Sequence, residues 1–155
     1  MSEPTETIRR AMEQALAEGR TALLAGDVPV GAVALDLTTG EVLAARHNEK
    51  ELRKDPTAHA ELLALGDAAR AKGSWRLDGV GLVVTLEPCP MCAGALVAAR
   101  IGSLTFGAAD PKAGACGSLY NLAADPRLNH EFPVVRGLMA DEASALLTEF
   151  FAARR

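Results

Sequence analysis

The sequence predicts an α/β protein built on a sheet with parallel central strands. The main observation is an apolar run of strand type over 80–86, followed by an alanine-rich helical segment over 91–100 and a short strand over 102–107. A strand, a crossover helix and a second strand in this order are typical of a parallel βαβ unit. The chain has 155 residues, 49% of them apolar, so we expect one compact domain over 1–155.

The first part of the chain predicts a helix followed by a hairpin. Apolar residues at helical spacing between Pro4 and Gly26 indicate an amphipathic first helix. The apolar run 32–35, the turn 36–40 and a second strand over 41–46 then indicate two antiparallel neighbours.

A polar segment and a second helix come next. Residues 47–55 are polar and charged, and Pro56 disfavours helix at the residue before it, so we expect a loop. A helix is predicted to begin near Ala58 and to end before Gly73.

The second half of the chain completes the predicted sheet. The nearly continuous apolar run 80–86 indicates a strand that is covered on both faces. We expect a surface loop over 110–117, one helical turn over 118–122, a brief strand over 133–137 and a final helix over 141–155.

Composition restricts the function classes. The net charge of -4 and the pI of about 5.4 argue against a protein that coats nucleic acid through its overall field, although local basic patches are still possible. No apolar run approaches the length of a membrane span, and residues 1–10 do not resemble a signal peptide, so we expect a soluble protein without a membrane partner. The three cysteines include one Cys-x-x-Cys pair, which is typical of reduced thiols in the cytoplasm.

Two short motifs carry the reactive side chains. His59 and Glu61 stand at the start of one predicted helix, and Cys89 and Cys92 stand at the start of another. Side chains and unpaired backbone N–H groups converge at such helix starts. A zinc ion bound by His59, Cys89 and Cys92 would have three protein ligands and a fourth tetrahedral position for water, which is the arrangement of catalytic zinc.

Glu61 is the candidate proton carrier of this site. It lies two residues from His59 and is not required as a ligand, so it can take a proton from the water. Lowering the pKa of water from about 15.7 to near 7 corresponds to roughly 12 kcal/mol at about 1.36 per unit, which exceeds what a lone carboxylate supplies. The acid–base share of Glu61 is on the order of 10²–10⁴ in rate.

Each of these residues alone also has a simpler interpretation. A Cys-x-x-Cys pair serves thioredoxin-like redox chemistry or packing, and a histidine near a helix start is often structural. Glu61 alone would be a solvated helix residue. The joint pattern of His-x-Glu and Pro-Cys-x-x-Cys favours zinc-dependent catalysis. Cys116 lies outside this spacing and is expected to be a small buried or half-buried residue.

The joint pattern is the known signature of the zinc nucleobase deaminases, which include an adenine-acting member. The sequence resembles the bacterial tRNA-specific adenosine deaminases, within the cytidine/deoxycytidylate deaminase superfamily, over nearly its whole length. The zinc motif is shared across the superfamily, whereas the other segments point to the tRNA branch rather than to cytosine, guanine or riboflavin-pathway deaminases. The segments that carry the resemblance are 28–33, 55–61, 85–94, 106–108, 117–119, 128–130 and 150–151.

The resemblance implies a fold, a reaction and a partner. The fold would be a three-layer α/β/α cytidine-deaminase-like fold with a mixed central sheet of about five strands. The protein would be a homodimer with one Zn²⁺ per subunit, and it would convert adenosine to inosine at the wobble position of a tRNA anticodon loop. In that reaction water adds at C6 of a flipped adenine, Glu61 protonates N1 and then the amino group, and ammonia leaves.

The resemblance also implies substrate contacts. Asn48 would hold the purine edge, Val30 and Leu86 would line the pocket, and the backbone at Ala60 and Cys89 would hydrogen-bond the base or the developing oxygen. Four further residues match positions that face the flanking nucleotides in relatives: Asp110, Asn121, His130 and Phe151.

Basic residues around the Asn48 loop, in the glycine-containing loop and at the C-terminus are expected to reach RNA phosphates. Several such contacts must act together, because counterion release drives this binding. These candidates are Arg46, Lys50, Arg53, Lys54, Lys112, Arg154 and Arg155. The acidic balance and the lack of the longer basic tail of many relatives leave the RNA affinity open, and the Tyr120-Asn121 pair leaves the flanking-base preference open.

Three functional hypotheses from different classes follow. The first is a wobble adenosine deaminase. The second is a deaminase of a free base or nucleoside, of the guanine or cytosine type, which shares the zinc motif and fits the acidic charge. The third is a zinc-stabilised RNA-binding module without catalysis, which the three-ligand site and the spare carboxylate of Glu61 disfavour.

Overall fold

The computed structural model describes residues 5–154, which fold around one mixed sheet. The strands of this part of the chain are β1 (Gly31–Asp36), β2 (Val42–His47), β3 (Val80–Leu86), β4 (Ser103–Ala108) and β5 (Val134–Arg136). Its α-helices are α1 (Glu6–Leu24), α2 (Lys50–Arg53), α3 (Ala60–Lys72), α4 (Pro90–Ala98) and α5 (Ala140–Ala152).

The strand order is β2-β1-β3-β4-β5. β1 pairs antiparallel with both β2 and β3, whereas β3 with β4 and β4 with β5 are parallel. The predicted hairpin and the predicted βαβ unit are therefore confirmed. β2 and β3 run in the same direction, because the chain crosses over through α3 between them. β1 lies between these two strands and is antiparallel to both. The sheet is mixed, as the resemblance implies.

Helices cover both faces of the sheet. Side chains alternate along β1, so that Ala32 and Ala34 pack with α3 and α4, while Val33 and Leu35 pack with α1. α5 packs beside α1 against β4. The architecture is the three-layer α/β/α arrangement expected from the resemblance. No helix within residues 5–154 has the length and apolar character needed to cross a membrane.

Gly31 permits the close approach of α1 to the sheet. A Cβ at this position would overlap the Ala15 carbonyl oxygen, so α1 can pack directly on the start of β1 only with glycine there. The Gly31 N–H also donates to Thr85 Oγ1 at 3.2 Å, which ties the start of β1 to the end of β3. These contacts fix the end of the sheet at which the candidate site lies.

Three local predictions need correction. The polar segment 47–55 contains the short helix α2, because a buried side chain elsewhere in the chain caps it, as described below. The helical turn expected over 118–122 is instead a 3₁₀ turn at Leu122–Ala124. The final helix ends at Ala152 rather than at Arg155, which lies outside the described residues.

An apolar hollow lies on the surface of the described residues. It lies over α3 and α4 and includes Trp75, which is 65% exposed. We call it the α3–α4 surface, and it is lined by Leu62, Leu65, Gly66, Ala69, Trp75, Leu77, Ala95, Ala98 and Ala99.

Candidate active site

The helix starts predicted from the sequence bring one imidazole and two thiols together. His59 is the N-cap residue of α3, Cys89 is the N-cap residue of α4, and Cys92 lies in the first turn of α4. His59 Nδ1 lies 3.8 Å from Cys89 Sγ and 3.5 Å from Cys92 Sγ, and the ligand atoms of the group all lie within 4.8 Å of one another.

This spacing fits a tetrahedral metal site. Zn–S bonds of about 2.3 Å and Zn–N bonds of about 2.0–2.1 Å place sulfur and nitrogen roughly 3.5 Å apart at a tetrahedral angle. The three side chains are therefore positioned to bind a metal ion, and two thiolates with one imidazole form a donor set that suits zinc.

The local sequence explains how the two helix starts leave their side chains available. His59 and Cys89 both have extended backbone, and in residues 5–154 neither side chain caps its own helix. Pro90 occupies the first turn of α4, where its missing N–H costs nothing and its fixed φ favours helix. The imidazole and the thiols are thus free to act as ligands.

The electrostatics of the group already favour a ligand form of one thiol. The neighbouring Cys92 thiol and the His59 ring lower the pKa of Cys89 to about 4. The same contact with Cys89, together with burial, raises the pKa of Cys92. The His59 ring donates a hydrogen bond to the Cys89 thiolate, and this raises the pKa of His59. Since the thiolate is the form that binds metals, Cys89 is prepared for ligation at neutral pH.

A cavity of about 190 Å³ opens next to this group. Most of its lining belongs to residues that the sequence singled out, and Val28, Glu87 and Ala113 are additions. Cys92 lies buried behind the lining. The lining residues are Val28, Val30, Asn48, Lys50, His59, Ala60, Glu61, Leu86, Glu87, Cys89, Asp110 and Ala113.

Glu61 is the carboxylate of the cavity that has the electrostatics of a proton carrier. It is 4% exposed, and this burial raises its pKa, opposed by its own backbone N–H and by His59. Burial thus makes the protonated form of this carboxyl group easier to reach than that of an exposed glutamate, which suits a group that takes up and releases a proton.

Asn48 is held rigidly in one wall of the cavity. Its backbone N–H donates to the Val30 carbonyl at 3.0 Å, and its Nδ2 donates to the Val28 carbonyl at 3.3 Å. Its Oδ1 accepts a hydrogen bond from the Lys50 backbone N–H at 3.0 Å. These bonds fix the orientation of the side-chain amide.

Asp27 supports the same wall and was not among the residues predicted from the sequence. Its carboxylate is buried and accepts from the backbone N–H groups of Glu51 at 2.7 Å and Leu52 at 3.2 Å. It therefore supplies the cap that makes residues 50–53 helical. The available signal was a charged residue just before an apolar strand, where burial of a carboxylate requires hydrogen-bond donors.

Glu87 supports the opposite wall and was also missed. It is 2% exposed and accepts from the backbone N–H groups of Asp110 at 3.0 Å, Cys116 at 3.1 Å and Ser118 at 3.0 Å, and from the Ser118 hydroxyl. Burial acts to raise the pKa of Glu87, but these hydrogen bonds more than offset it and leave the pKa below its ordinary value. A glutamate directly after a fully buried strand was the signal.

Three residues proposed for flanking nucleotides lie outside the cavity lining. Asn121 is exposed, and Phe151 is exposed with its ring edge against Phe150 at 5.1 Å between centroids. His130 is half-buried, and its Nε2 lies 2.8 Å from the Ile101 carbonyl oxygen. The fourth, Asp110, is in the lining.

The basic candidates divide into paired and exposed side chains. Arg46 forms ion pairs with Glu49 at 2.6 Å and Asp67 at 2.8 Å, and Arg53 lies 3.5 Å from Glu49. These pairs fasten the segment after β2 to α3. Their contact with RNA remains a prediction.

The other basic candidates are more accessible. Lys50 is exposed and lines the cavity, and Lys54 and Lys112 are exposed away from it. The Arg154 guanidinium lies over the Phe150 ring, 3.5 Å from its centroid. The Arg155 prediction falls outside the described residues.

Cys116 is fully buried, as expected from its position outside the motif. Burial raises the pKa of its thiol to about 12, so it stays protonated at neutral pH.

Comparison with known proteins identifies the family. The sequence-family model of the MafB19-like deaminases matches residues 7–155 of this chain. A tRNA-specific adenosine deaminase of Bacillus subtilis (strain 168) is 46% identical over 140 residues, which cover 90% of this chain and 86% of that protein.

Two solved structures share the fold. One, from a study of A-to-I editing by tRNA:A34 deaminases at the wobble position of transfer RNA, is 42% identical with a TM-score of 0.85 and covers 89% of this chain and 99% of its own. A guanine deaminase from Nitrosomonas europaea is 27% identical with a TM-score of 0.79 and covers 98% of this chain and 86% of its own. With its metal-binding group beside a buried glutamate, the chain belongs to the family of tRNA-specific adenosine deaminases.

Proposed function

We propose that this protein deaminates adenosine to inosine hydrolytically at the wobble position of a tRNA anticodon loop. The observation that carries the proposal is that buried Glu61 and Asn48 line one cavity together with two members of the His59, Cys89 and Cys92 group. The similarity to proteins named for this reaction supports the choice of substrate.

The metal in this proposal is one zinc ion per subunit, held by His59, Cys89 and Cys92. When bound, zinc lowers the pKa of a water molecule to about 7 and leaves a coordination position open for it. Cys89 contributes a thiolate that is already favoured at neutral pH.

Glu61 moves the protons of the reaction. It accepts one proton from the attacking water and delivers it to N1 of the adenine as the C6–O bond forms. It then transfers a second proton from the added oxygen to the amino group, and ammonia leaves as the C6–N bond breaks. The products are inosine and ammonia, and Glu61 returns to its starting state. Its raised pKa suits both directions of transfer.

Asn48 orients the base. A side-chain amide has two donor hydrogens and two acceptor lone pairs, and the bonds to Val28 and Lys50 use one of each. The remaining hydrogen and lone pair match the adjacent acceptor and donor of a purine edge. Because the amide is held in place beforehand, its orientation selects the bases that fit.

The other residues of the cavity lining hold the base and shield it from water. Val30 and Leu86 supply apolar contact, and Ala60 and Cys89 stand at helix starts, where backbone N–H groups have no partner within the helix. Such N–H groups stabilise the negative charge that develops on oxygen at C6.

RNA contacts extend outward from the cavity in this proposal. Lys50 at the cavity lining is placed to meet a phosphate next to the flipped nucleotide. The remaining cations act on the backbone, and Asp110, Asn121, His130 and Phe151 face the flanking nucleotides.

We also propose a homodimer of chains that each form one deaminase domain over 1–155. The α3–α4 surface supports this proposal, because it exposes Trp75 beside an apolar hollow, and aromatic side chains are enriched at protein interfaces. A cytoplasmic location is consistent with the three free cysteines and with a tRNA substrate.

The second candidate function is deamination of a free base, and the fold similarity to a guanine deaminase favours it. One panel separates the two: purified protein is incubated with an adenine-wobble anticodon stem-loop, guanine, cytosine and adenosine, and ammonia and inosine are measured. We expect inosine in the stem-loop and little turnover of the free compounds. A stem-loop with guanosine at the wobble position serves as the control and should release no ammonia. Turnover of a free base alone would exclude the tRNA proposal.

A further inference from the structure

The carboxylate of Glu87 is saturated with hydrogen bonds from one loop. An ionised carboxylate offers about four lone-pair sites. Oε1 accepts from the Asp110 N–H and the Ser118 hydroxyl, and Oε2 accepts from the N–H groups of Cys116 and Ser118. All four sites are therefore occupied, and Glu87 has no capacity left to bind a substrate or to take its proton.

The loop that it holds, residues 110–118, forms part of the cavity wall through Asp110 and Ala113. The loop closes directly over the carboxylate: a Cβ at Gly114 would overlap the Glu87 side chain. The Ala115 N–H also donates to the Pro88 carbonyl at 2.8 Å. The backbone N–H groups of the loop thus surround the ionised carboxylate of Glu87.

Glu87 joins this wall to the metal-binding group. It stands two residues before Cys89, at the junction between β3 and α4. Its own backbone N–H donates to the Ala108 carbonyl at 2.8 Å, at the end of the neighbouring strand β4. Any displacement of the loop relative to Cys89 must break bonds to a buried carboxylate, which is costly.

We infer that Glu87 is a positioning residue that sets the distance between the 110–118 wall and the metal-binding group, and thereby the fit of the flipped nucleotide. This inference rests on the proposed function. Its effect acts on substrate binding through Asp110 and Ala113, because among the described residues the Glu87 carboxylate bonds only to the 110–118 loop. Glu61 and the candidate ligands are positioned instead by the starts of α3 and α4.

The test is Glu87→Gln. Glutamine has the same shape, but its amide nitrogen would face N–H donors instead of accepting from them. We expect the KM for the stem-loop to rise about tenfold, as for the loss of roughly one charge-assisted hydrogen bond. We expect kcat to stay within about threefold and the zinc content to stay at one per chain.

A merely structural role gives a different result. A partly unfolded population lowers the concentration of active enzyme, so the apparent kcat falls while KM is unchanged. Asp36→Asn is the control, because Asp36 also accepts from loop N–H groups, those of Thr38 and Thr39, and pairs with Lys72, but lies at the end of β1 that is away from the cavity. It should lower stability and leave KM unchanged.

Ser118→Ala provides a milder variant if Glu87→Gln folds poorly, since it removes only one of the four bonds. It should raise KM in the same direction by a smaller factor. Amide hydrogen exchange over 110–118 should be faster in both variants than in wild type. Unchanged KM and unchanged exchange in these variants would overturn the inference. If wild type itself forms no inosine in the stem-loop, the proposed function fails, whereas the exchange result still decides whether Glu87 holds the loop.

Discussion

The floor and the walls of the cavity are held in place by different means. The floor consists of His59, Glu61, Cys89 and Cys92, which lie at the starts of two helices, so local backbone geometry positions them. The walls are the 48–54 segment and the 110–118 loop, which depend on the buried carboxylates of Asp27 and Glu87 from distant parts of the chain. Each half of the floor is thus positioned by the start of its own helix, whereas each wall is positioned by hydrogen bonds to a buried carboxylate of another segment.

The two buried glutamates show the same contrast. Burial raises the pKa of Glu61 in the floor, whereas hydrogen bonds from the 110–118 loop keep the pKa of Glu87 below its ordinary value. One carboxylate is suited to exchange protons and the other to remain ionised. Two carboxyl groups with opposite shifts have different roles, as in other acid–base sites.

The largest expected effect is in the floor. Cys92→Ala should abolish zinc binding and reduce deamination to background, because two ligands do not hold a catalytic zinc ion. Cys116→Ala is the matched control, since Cys116 is equally buried but lies outside the group. Elemental analysis of both variants and inosine formation check this prediction. Full zinc content in Cys92→Ala would contradict the assignment of the floor.

Glu61→Gln should have the next largest effect. The variant keeps the shape of the side chain but cannot carry a proton, so we expect kcat to fall by about 10²–10⁴. Zinc content should remain at one per chain. Single-turnover inosine formation, measured together with zinc content, checks this. Loss of the metal instead would identify Glu61 as a ligand.

Asp27→Asn tests the first wall. The wild-type carboxylate accepts hydrogen bonds from two backbone N–H groups, and asparagine would present its own N–H₂ group to one of them. We therefore expect the free energy of unfolding to fall by about 1–3 kcal/mol. The KM for the stem-loop should rise several-fold, because Asn48 loses support. Urea unfolding and steady-state kinetics measure the two effects. Unchanged amide exchange at Glu51 and Leu52 would show that Asp27 does not hold this wall.

The smallest expected effect is on the pH dependence of stability, and it arises from the ion pairs of Arg46 with Glu49 and Asp67. Burial acts to raise the pKa of Glu49 and Asp67, but the bonds from Arg46 lower both below their ordinary values of 4.5 and 3.8. Carboxyl groups whose pKa is lower in the folded than in the unfolded protein stabilise the fold at pH values above their unfolded pKa. This contribution is lost as the pH falls through their folded pKa.

Arg46→Met should therefore lower the Tm by about 3–6 °C at pH 7, equivalent to roughly 1–2 kcal/mol. The difference from wild type should shrink as the pH falls below 4.5. Arg127→Met, which removes an exposed ion pair with Asp125, is the control and should change the Tm little. A difference that grows towards acid would refute the stabilising role of Arg46.

The sequence was sufficient for the floor because its information is local. His59 and Glu61 are two positions apart, Cys89 and Cys92 are three apart, and each pair begins a helix that its own apolar pattern predicts. The order of strands and crossover helices likewise predicted the β1–β2 hairpin and the parallel β3–β4 pair, but not the antiparallel pairing of β1 with β3. The approach of His59 to Cys89 and Cys92, which lie 30 and 33 positions away, was predicted from the joint motif and not from either half alone.

The walls were beyond such reasoning because their donors are backbone N–H groups, which no residue type identifies. Nothing in the sequence marks Cys116 and Ser118 as partners of Glu87. Arg46 on β2 illustrates the same limit, since its partner Asp67 lies 21 positions away on α3. An arginine next to a polar segment is indistinguishable from an unpaired cation in the sequence, because only the fold brings a carboxylate to it.

Trp75 has a practical consequence for the assembly. It is the only tryptophan in the chain and is largely exposed on the α3–α4 surface. The intrinsic fluorescence of the protein therefore reports from a single place. If a second copy covers this surface, emission should shift to shorter wavelength as the protein concentration rises, and it should move back on dilution. The molecule carries its own optical probe of self-association, and no added label is required.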